Sequence, residues 1–430
     1  MNPKKIKKWL ANDPFYYEYE FLRKTIFSKK YEQIFAGWLI DGSGGPIQKN
    51  ILIHIKEGLI RSMEPAPPIK ISGPDRGNTK ILDLSHCTVM PGMIDCHVHL
   101  SMSGTVDQRV RQNQLKASYG KLEDTISAHL HQHLAHGIVA VRDGGDKNGH
   151  ALQYKRIHYG AEKTSILLHT AGWAWYREGR YGRLLGRALS PNNSLAEAIT
   201  NDKNKIDHIK VVNSGINSLK QFGLETPPQF QLSEMEDAVR AAKRRDLFVM
   251  VHANGHLPVK IALDSGCHSV EHGFFMGREN LDKMAEGGVT WVPTAGTMKA
   301  YADSSRPETP ESEIARKTLD HQLEQITEAA RLKVVMALGT DAGSPGVHHG
   351  RGAIDELKMF LATGLSIPET VRCATLNGAK LLRLDRLGLL APDMEATCIA
   401  LKGEPDRLPE SLNEIELVLI KGKSFEKAPQ

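Results

Sequence analysis

The chain has 430 residues, of which 40% are hydrophobic and 24% charged, and its formal net charge is +5. This composition excludes a disordered chain and predicts a soluble globular protein with one large domain and a small accessory domain. The first 30 residues carry eight basic and three acidic side chains, so they account for the whole net charge. The remainder is close to neutral, and we expect no nucleic-acid partner. No apolar stretch approaches the roughly 18 residues of a transmembrane segment.

Residues 1–33 are expected to form a basic, aromatic, helical extension. Asn12, Asp13 and Pro14 are typical of a helix start, and the predicted helix runs to about Phe27. We interpret its aromatic side chains as packed on the protein or on a subunit interface rather than on a membrane surface. No apolar segment follows the basic residues at 1–10, and the five cysteines show no paired spacing. Both observations predict a cytoplasmic, reducing location.

A small β-sandwich domain is predicted from residues 34–90 together with residues 385–430. Short alternating strands separated by turns are expected at 34–40, 50–55 and 58–63, and similar strands at 397–401 and 415–420. The ends of the chain would therefore meet in one domain. The glycine-rich stretch at 42–45 is interpreted as a turn, because no phosphate-loop pattern follows it.

The most informative motif is the pair His97 and His99, which ends an apolar run at 91–99. Side chains at i and i+2 of a strand point to the same side, so these two imidazoles project together. Two imidazoles on one side of a strand end can bind one metal ion. The pair alone is weak evidence, because the chain has 19 histidines.

Residues 91–384 alternate strand-like runs with helix-like stretches such as 233–245 and 310–333, which predicts βα units and a parallel sheet. The fold class is therefore α/β, and the expected architecture is a (β/α)8 TIM barrel. In such a barrel the carboxyl ends of the strands share one face, which holds the active site. The predicted strands are 89–95, 137–142, 165–170, 208–212, 247–251, 269–271, 289–293 and 334–338.

Four of the later runs carry a residue that can bind a metal or react. Lys210 lies inside a β-branched run, and His252, His272 and Asp341 each end one. At the carboxyl ends of barrel strands these side chains would converge with the histidine pair.

The order His-x-His, Lys, His, His, Asp resembles the amidohydrolase superfamily of metal-dependent hydrolases. The supporting strings are PGMIDCHVH at 91–99, VHANG at 251–255, EHG at 271–273 and GTDAG at 339–343. Within the superfamily the chain is most similar to the binuclear branch with a carboxylated lysine, which includes prolidase-like and Xaa-Arg dipeptidase enzymes, dihydroorotases and hydantoinases. The similarity runs from about residue 34 to residue 420.

The resemblance implies two divalent metal ions, zinc being expected, and a carbamate on Lys210 that bridges them. A lysine in an apolar run is desolvated, which favours its neutral amine. Asp341 would be both a ligand and the catalytic proton acceptor and donor in metal-assisted hydrolysis. The implied metal ligands are His97, His99 and Asp341 for the more buried ion, His252 and His272 for the second, and Lys210 between them.

Substrate-binding residues are expected in the loops that follow the strands. The segment at 171–183 combines aromatic side chains with arginines, and we interpret it as a lid or wall in which an aromatic ring packs on an apolar group and an arginine pairs with a carboxylate. A packed surface loop with solvated arginines is the alternative. The candidate substrate-binding residues are Trp173, Tyr176, Arg177, Arg180 and His348.

Three functions remain open at this stage. The first is hydrolysis of a C–N amide bond in a peptide-like or N-acyl amino acid substrate. The second is hydrolysis of a cyclic amide, imide or lactone, of the hydantoinase or imidazolonepropionase type. The third is a non-catalytic scaffold, which the full ligand set disfavours. Deamination is disfavoured too. The mononuclear deaminases of the superfamily place a glutamate shortly after the histidine that corresponds to His252, and no acidic residue closely follows His252 here. The partner is a small-molecule substrate, and a homo-oligomer is left open.

Overall fold

The computed structural model describes residues 26–67, 81–159, 166–304 and 309–426. Most of the predicted N-terminal helical extension lies outside these residues. The part of it at 26–30 is not helical but forms a strand, because its backbone pairs with the strand at 423–426. Within the described residues no helix combines the length and the hydropathy needed to cross a membrane.

The strands are, in chain order, β1 (Ile26–Lys30), β2 (Gln33–Leu39), β3 (Gln48–Lys56), β4 (Leu59–Pro65), β5 (Ile81–Pro91), β6 (Met93–Val98), β7 (Ile138–Asp143), β8 (Leu167–Thr170), β9 (Ala174–Arg177), β10 (Gly186–Leu189), β11 (His208–Val212), β12 (Phe248–Ala253), β13 (Ser269–His272), β14 (Thr290–Val292), β15 (Cys398–Lys402), β16 (Ile415–Ile420) and β17 (Lys423–Glu426).

The helices are α1 (Gln108–Lys116), α2 (Tyr119–Ala135), α3 (His150–His158), α4 (Leu195–Asn201), α5 (Leu232–Arg244), α6 (His256–Asp264), α7 (Arg278–Gly287), α8 (Gly296–Ser304), α9 (Pro310–Arg331), α10 (Gly352–Ala362), α11 (Ile367–Ala374) and α12 (Leu376–Leu381). The helix predicted at 310–333 is α9, which begins with Thr309 as its cap and Pro310 in its first turn.

The chain divides into two compact units. One comprises the described residues up to Ile94, then Ala128–Val139 and the residues from Ser366 onward. The other comprises Asp95–Ser127 and Ala140–Leu365.

In the first unit the strands from both ends of the chain form one hydrogen-bonded sheet of order β1-β17-β16-β15-β5-β2-β3-β4. Strand β5 joins the two halves, because it pairs with β2 along one side and with β15 along the other. The alternating burial of β3 places every second side chain in the core, as in a strand with one covered face. An apolar cluster that includes Ile34, Ile53 and Leu419 lies in this core.

In the second unit the sheet of order β10-β9-β11-β12-β13-β14 is parallel throughout. Strands β6, β7 and β8 form a further sheet in that order. The fold is therefore α/β with parallel sheets, as predicted. Every residue of β11 is buried, and such continuous burial is typical of a parallel strand covered on both faces.

The segment predicted as the eighth strand, 334–338, does not form a regular strand. It makes single bridges instead, between Trp291 and Met336 and, a little further along, between Val98 and Ala342. The amide of Cys96 donates to the Leu338 carbonyl, so the segment also hydrogen-bonds to β6. The interruption places Asp341 at a sharp turn, since its φ is 57°.

Candidate metal centre

His97, His99 and Asp341 converge where β6 and the 334–342 segment end. One ligand atom from each of the three lies within 4.8 Å of the others. Asp341 Oδ1 is 3.5 Å from His97 Nε2 and 3.3 Å from His99 Nε2. Lys210 on β11 reaches the same point, with Nζ 3.4 Å from His97 Nε2.

His252 and His272 complete the cluster at the ends of β12 and β13. Their ring centroids are 4.5 Å apart, and the centroid of His272 is 4.9 Å from that of His97. The structure thus places together all six residues that the motif order singled out, and all six line one cavity.

Backbone carbonyl groups orient two of the imidazoles. His99 Nδ1 is 3.0 Å from the Gly145 carbonyl oxygen, and His252 Nε2 is 3.1 Å from that of Gly215. A ring nitrogen that donates to a carbonyl leaves the other nitrogen with its lone pair directed at the cluster. Gly144 allows the His99 ring to pack closely, because a Cβ there would lie 2.8 Å from its Cε1 atom.

His272 is oriented by a hydroxyl group and by an unusual backbone. Its Nδ1 is 2.6 Å from Thr294 Oγ1. Its φ is 69°, in the left-handed region that residues other than glycine rarely adopt. The chain therefore leaves the extended conformation at His272, and Thr294 and Asp341 have positive φ as well. Backbone strain of this kind concentrates at functional sites.

Burial sets the protonation of the basic groups. It lowers the pKa of Lys210 to about 8, and the nearby negative charge of Glu271 opposes the shift. Burial, followed by the positive charge of Lys210, lowers the pKa of His252 to about 4 and that of His97 well below its ordinary value. The pKa of His272 is also lowered well below the usual range by burial. Neutral imidazoles and a readily deprotonated amine are the forms that bind metals or react with carbon dioxide.

Asp341 and His99 shift each other's pKa in opposite directions. Burial would raise the pKa of Asp341, but the hydrogen bond with His99 and the charges of the histidines outweigh it and lower that pKa. Burial likewise opposes protonation of His99, yet the Asp341 carboxylate raises the pKa of His99. Asp341 is thus a carboxylate, the form that acts as a metal ligand or proton acceptor.

The chemistry of the donor set fits divalent metal ions. It combines imidazole nitrogens and a carboxylate, the ligands that Zn²⁺ and related ions accept, with a lysine amine that can become a carbamate. His99 and His252 are already held by their second ring nitrogen, which is the usual arrangement around metal-binding histidines. The residues present therefore fit a metal centre.

The cluster lies in a cavity of about 670 Å³. Apolar side chains such as Leu184, Leu185 and Ile216 form part of its wall, and among the described residues Arg111 and Lys220 are the lysine and arginine side chains on it besides Lys210. Arg111 on α1 donates to the carbonyl oxygens of Ser103, in the loop before the helix, and of Gly343. The wall around the cluster therefore combines apolar and charged side chains.

Within the segment at 171–183, which the sequence predicts as a lid or wall, Tyr181 lies on the cavity wall. Residues 174–177 are strand β9, which pairs with β11, because its aromatic side chains favour a buried strand. Arg177 pairs with Glu234 and lies over the ring of Phe230. Trp173 packs against Arg187.

Among the described residues that line the cavity, none of the five predicted substrate-binding side chains is found: Trp173, Tyr176, Arg177, Arg180 and His348. The tyrosines on the wall are instead Tyr181 and Tyr301. Arg180 donates to the Pro227 carbonyl oxygen.

Two charged residues behind the cluster had not been assigned a role from the sequence. Glu271 accepts a 2.9 Å hydrogen bond involving His97 Nδ1, and Arg142 pairs with Glu271 at 2.8 Å. Each is a charged residue within a predicted strand, 137–142 or 269–271, and this was the available signal. Asp143 has a structural role, since its carboxylate accepts hydrogen bonds from the amides of Leu100 and Gly145.

Buried ligand-type side chains at the ends of parallel strands define this protein as a candidate metalloenzyme. The model of the amidohydrolase family matches residues 88–425. The chain belongs to this family, and the resemblance inferred from its motifs is confirmed.

Among curated proteins, the chain is similar to ochratoxinase of Aspergillus niger, with 30% identity over 182 residues. That match covers 41% of this chain and 37% of ochratoxinase, so the chain matches little more than a third of the relative's length. It is also similar to imidazolonepropionase of Aliivibrio fischeri (strain MJ11), with 38% identity over 65 residues, 15% of each chain.

Among solved structures, the chain is similar to a Xaa-Pro dipeptidase with methionine bound in its active site. The TM-score is 0.77 and the identity 26%, over 92% of this chain and 99% of the dipeptidase. The structure of Aspergillus niger ochratoxinase matches with a TM-score of 0.72 and 20% identity, over 91% of this chain and 95% of that one. The latter likeness concerns the fold alone.

Proposed function

We propose that the protein is a binuclear metal-dependent amidohydrolase that cleaves a C–N amide bond in a peptide-like or N-acyl amino acid substrate. The observation that carries this proposal is the close approach of Lys210 and Asp341 to the buried His97. Lys210 Nζ is 3.4 Å and Asp341 Oδ1 3.5 Å from His97 Nε2. The similar proteins support it, because the dipeptidase and ochratoxinase are hydrolases by name.

In this proposal each pair of histidines holds one divalent ion. His97, His99 and Asp341 would bind the first ion, and His252 and His272 the second. When bound, the ions lower the pKa of water and polarise the substrate carbonyl group. Zinc suits imidazole and carboxylate ligands, and we propose it as the metal.

Lys210 would link the two ions as a carbamate. Its neutral amine would attack the carbon of carbon dioxide, so that an N–C bond forms while one C=O π bond opens and leaves its electron pair on oxygen. The nitrogen would then lose a proton to water, which leaves the carbamate anion. The lowered pKa of Lys210, about 8, makes the neutral amine accessible near neutral pH. The buried position of Lys210 removes competing solvation of its ammonium form.

Asp341 is the residue we propose for proton transfer. It would take a proton from the attacking water and deliver it to the leaving nitrogen. Its Oδ1 faces the ring nitrogens of His97 and His99, so the carboxylate is held in place before substrate arrives. The apolar wall and the cations Arg111 and Lys220 would select a substrate with an apolar group and a carboxylate.

We further propose the finer architecture that the sequence predicts. Residues 91–384 would form a closed (β/α)8 barrel in which 334–342 takes the place of the eighth strand, and hydrogen bonds of this segment to Trp291 and Cys96 support it. Residues 34–90 and 385–430 would form the accessory β-sandwich domain. A cytoplasmic location and a small-molecule substrate complete the proposal.

Metal stoichiometry in wild type and Lys210→Ala tests the binuclear centre. Both proteins are produced with zinc and bicarbonate and analysed for metal per chain. We expect about two ions in wild type and one or fewer in the variant, because the bridging carbamate is lost. Lys155→Ala is the matched control, since Lys155 is a partly buried lysine paired with Asp207. One ion in both wild type and Lys210→Ala would rule out a bridging lysine.

Cyclic amide, imide or lactone hydrolysis is the second candidate. The match to imidazolonepropionase favours it, although that match covers 15% of the chain. A panel of N-acyl amino acids, dipeptides and cyclic ureides, offered to the zinc-loaded protein, separates the two candidates. Turnover confined to the cyclic compounds would replace the leading proposal with this one.

A further inference from the structure

The imidazole of His97 is held from behind by a carboxylate that the proposed mechanism does not use. His97 Nδ1 is 2.9 Å from Glu271 Oε2, while His97 Nε2 faces Lys210 and Asp341. Glu271 is 0% exposed and His97 1% exposed, so no solvent competes for this contact.

The other oxygen of Glu271 is fixed as well. Its Oε1 accepts hydrogen bonds from Arg142 Nη2 at 2.8 Å and from Ser269 Oγ at 2.6 Å. Arg142 donates in addition to the Cys96 carbonyl oxygen at 2.7 Å, which ties the guanidinium to the strand that carries His97. Because both donors bind Oε1, Oε2 is available to accept a hydrogen bond from His97 Nδ1.

This arrangement decides which tautomer His97 adopts. A carboxylate accepts hydrogen bonds and donates none. With Glu271 paired to Arg142, the proton of His97 therefore lies on Nδ1, and the lone pair of Nε2 points at the cluster. Carboxylates that fix a metal-binding histidine in this way also make the imidazole a stronger donor.

Stability alone is a poor explanation for the buried pair. Removing two charges from water is costly, and apolar side chains of similar volume often replace a buried ion pair without loss of stability. Arg142 is only 3% exposed, and it crosses from β7 to β13 to reach Glu271. A charged pair at this depth points to a role in the site that it supports.

The backbone of β13 brings this support next to the cluster. Consecutive residues of a regular strand point to opposite faces. Glu271 and His272 are consecutive, yet one contacts His97 and the other packs against it with ring centroids 4.9 Å apart. The positive φ of His272, 69°, allows the side chains of both Glu271 and His272 to contact His97.

We propose that Glu271, held by Arg142 and Ser269, is a positioning residue that fixes the tautomer and orientation of His97 and thereby sets the metal affinity of the centre. The inference rests on the proposed metal centre. It adds a determinant of that centre that lies outside the predicted ligand set.

Zinc affinity of the full chain tests the role of Glu271. Wild type and Glu271→Gln are stripped with a chelator, and zinc binding is measured by competition with a chromophoric chelator. We expect an affinity about 10- to 100-fold lower in the variant, because its amide cannot accept from all three donors. The visible spectrum of bound Co²⁺ should shift as well, since the geometry at His97 changes.

Glu234→Gln is the matched control, because Glu234 also pairs with an arginine, Arg177, on residues outside the cluster. Its zinc affinity should equal that of wild type. Equal zinc affinity and an equal Co²⁺ spectrum in Glu271→Gln would overturn the inference. Failure of wild type itself to bind zinc would instead refute the proposed function, so the two failures are distinguishable.

A double variant keeps the test decisive if Glu271→Gln does not fold. Arg142→Met with Glu271→Met removes both buried charges, and the zinc-free double variant should unfold at a temperature close to that of zinc-free wild type. We expect its zinc affinity to remain reduced, because His97 has lost its acceptor. If the double variant folds and binds zinc as tightly as wild type, the pair has only a structural role and the inference is wrong.

Discussion

Glu356 shows how one buried carboxyl group makes stability depend on pH. It lies on α10 with 1% of its surface exposed, and its Oε1 accepts a 2.6 Å hydrogen bond from the Gly296 amide. Its Oε2 has no hydrogen-bond partner within the described part of the chain. Burial raises its pKa well above the ordinary value, although the Gly296 hydrogen bond opposes the shift. Between the ordinary pKa of a glutamate and the raised pKa of the folded protein, Glu356 therefore keeps its proton in the folded state and releases it in the unfolded chain.

From this shift we predict that Glu356→Gln stabilises the protein increasingly as pH rises. A raised pKa in the folded state gives stability that is complete below the unfolded pKa, about 4.3, and is lost as pH rises through the folded pKa. Glutamine mimics the neutral form and removes this dependence. Thermal unfolding should give a variant melting temperature above that of wild type at about pH 8, with the difference shrinking toward about pH 5.

Glu324→Gln is the control for this prediction, because Glu324 is exposed on α9. Its melting temperature should follow that of wild type at each pH. A difference between Glu356→Gln and wild type that does not change with pH would show that Glu356 is not protonated in the folded state.

At the scale of elements, the segment at 213–231 both lines the cavity and contacts a residue of the cluster. It contributes Ile216 and Lys220 to the cavity wall. The Gly215 amide donates to Thr226 Oγ1 at 2.7 Å, which closes the base of the segment. The Gly215 carbonyl oxygen is also the partner of His252 Nε2, so the position of the segment and the orientation of a proposed ligand are coupled.

We predict that Thr226→Val loosens residues 216–224 without unfolding the protein. Valine keeps the shape of threonine but cannot accept the Gly215 amide, and a hydrogen bond of this kind contributes about 1 kcal/mol. Amide hydrogen exchange should become faster in 216–224 and stay unchanged in the sheets. Thr327→Val is the control, because the Thr327 hydroxyl donates to the Leu323 carbonyl oxygen of α9, far along the chain. Unchanged exchange in 216–224 would show that Thr226 does not hold the segment.

At the scale of the whole molecule, local patterns predicted the family and the position of the six cluster residues. The spacing of His97 and His99 fixes their common side through the two-residue period of a strand, and the βα alternation predicts that later strand ends converge. The predicted strand at 208–212 coincides with β11, because a short run rich in β-branched residues favours a buried strand.

Contacts between residues far apart in the chain could not be predicted from the sequence. The sequence predicts a lid or wall at 171–183, yet residues 174–177 of this segment form β9 and pair with β11, a contact that depends on the arrangement of distant strands. The partnership of Arg142 and Glu271 joins residues 129 positions apart and depends on how the strands are arranged. The actual cavity wall, including Tyr181 and Lys220, depends likewise on loop conformation, which no short pattern encodes.

The cluster also predicts that metal and global stability are coupled. Lys210 and the histidines are buried together, and a ligand that binds only the folded state stabilises it by about 2.7 kcal/mol at 100 times its dissociation constant. We expect chelator treatment to lower the melting temperature of wild type, and zinc with bicarbonate to restore it. The recovery should be smaller in Lys210→Ala, because that variant lacks the bridge.

Calorimetry with and without zinc measures this coupling, and Lys155→Ala should behave as wild type, because its ion pair with Asp207 lies outside the cluster. The direction of the effect follows from mass action alone, so it holds whichever substrate the protein hydrolyses. A melting temperature that changes neither with chelator nor with zinc would mean that the folded chain binds no metal. The six side chains would then have to be explained as a buried polar core, although burial of so many basic groups without a ligand is costly.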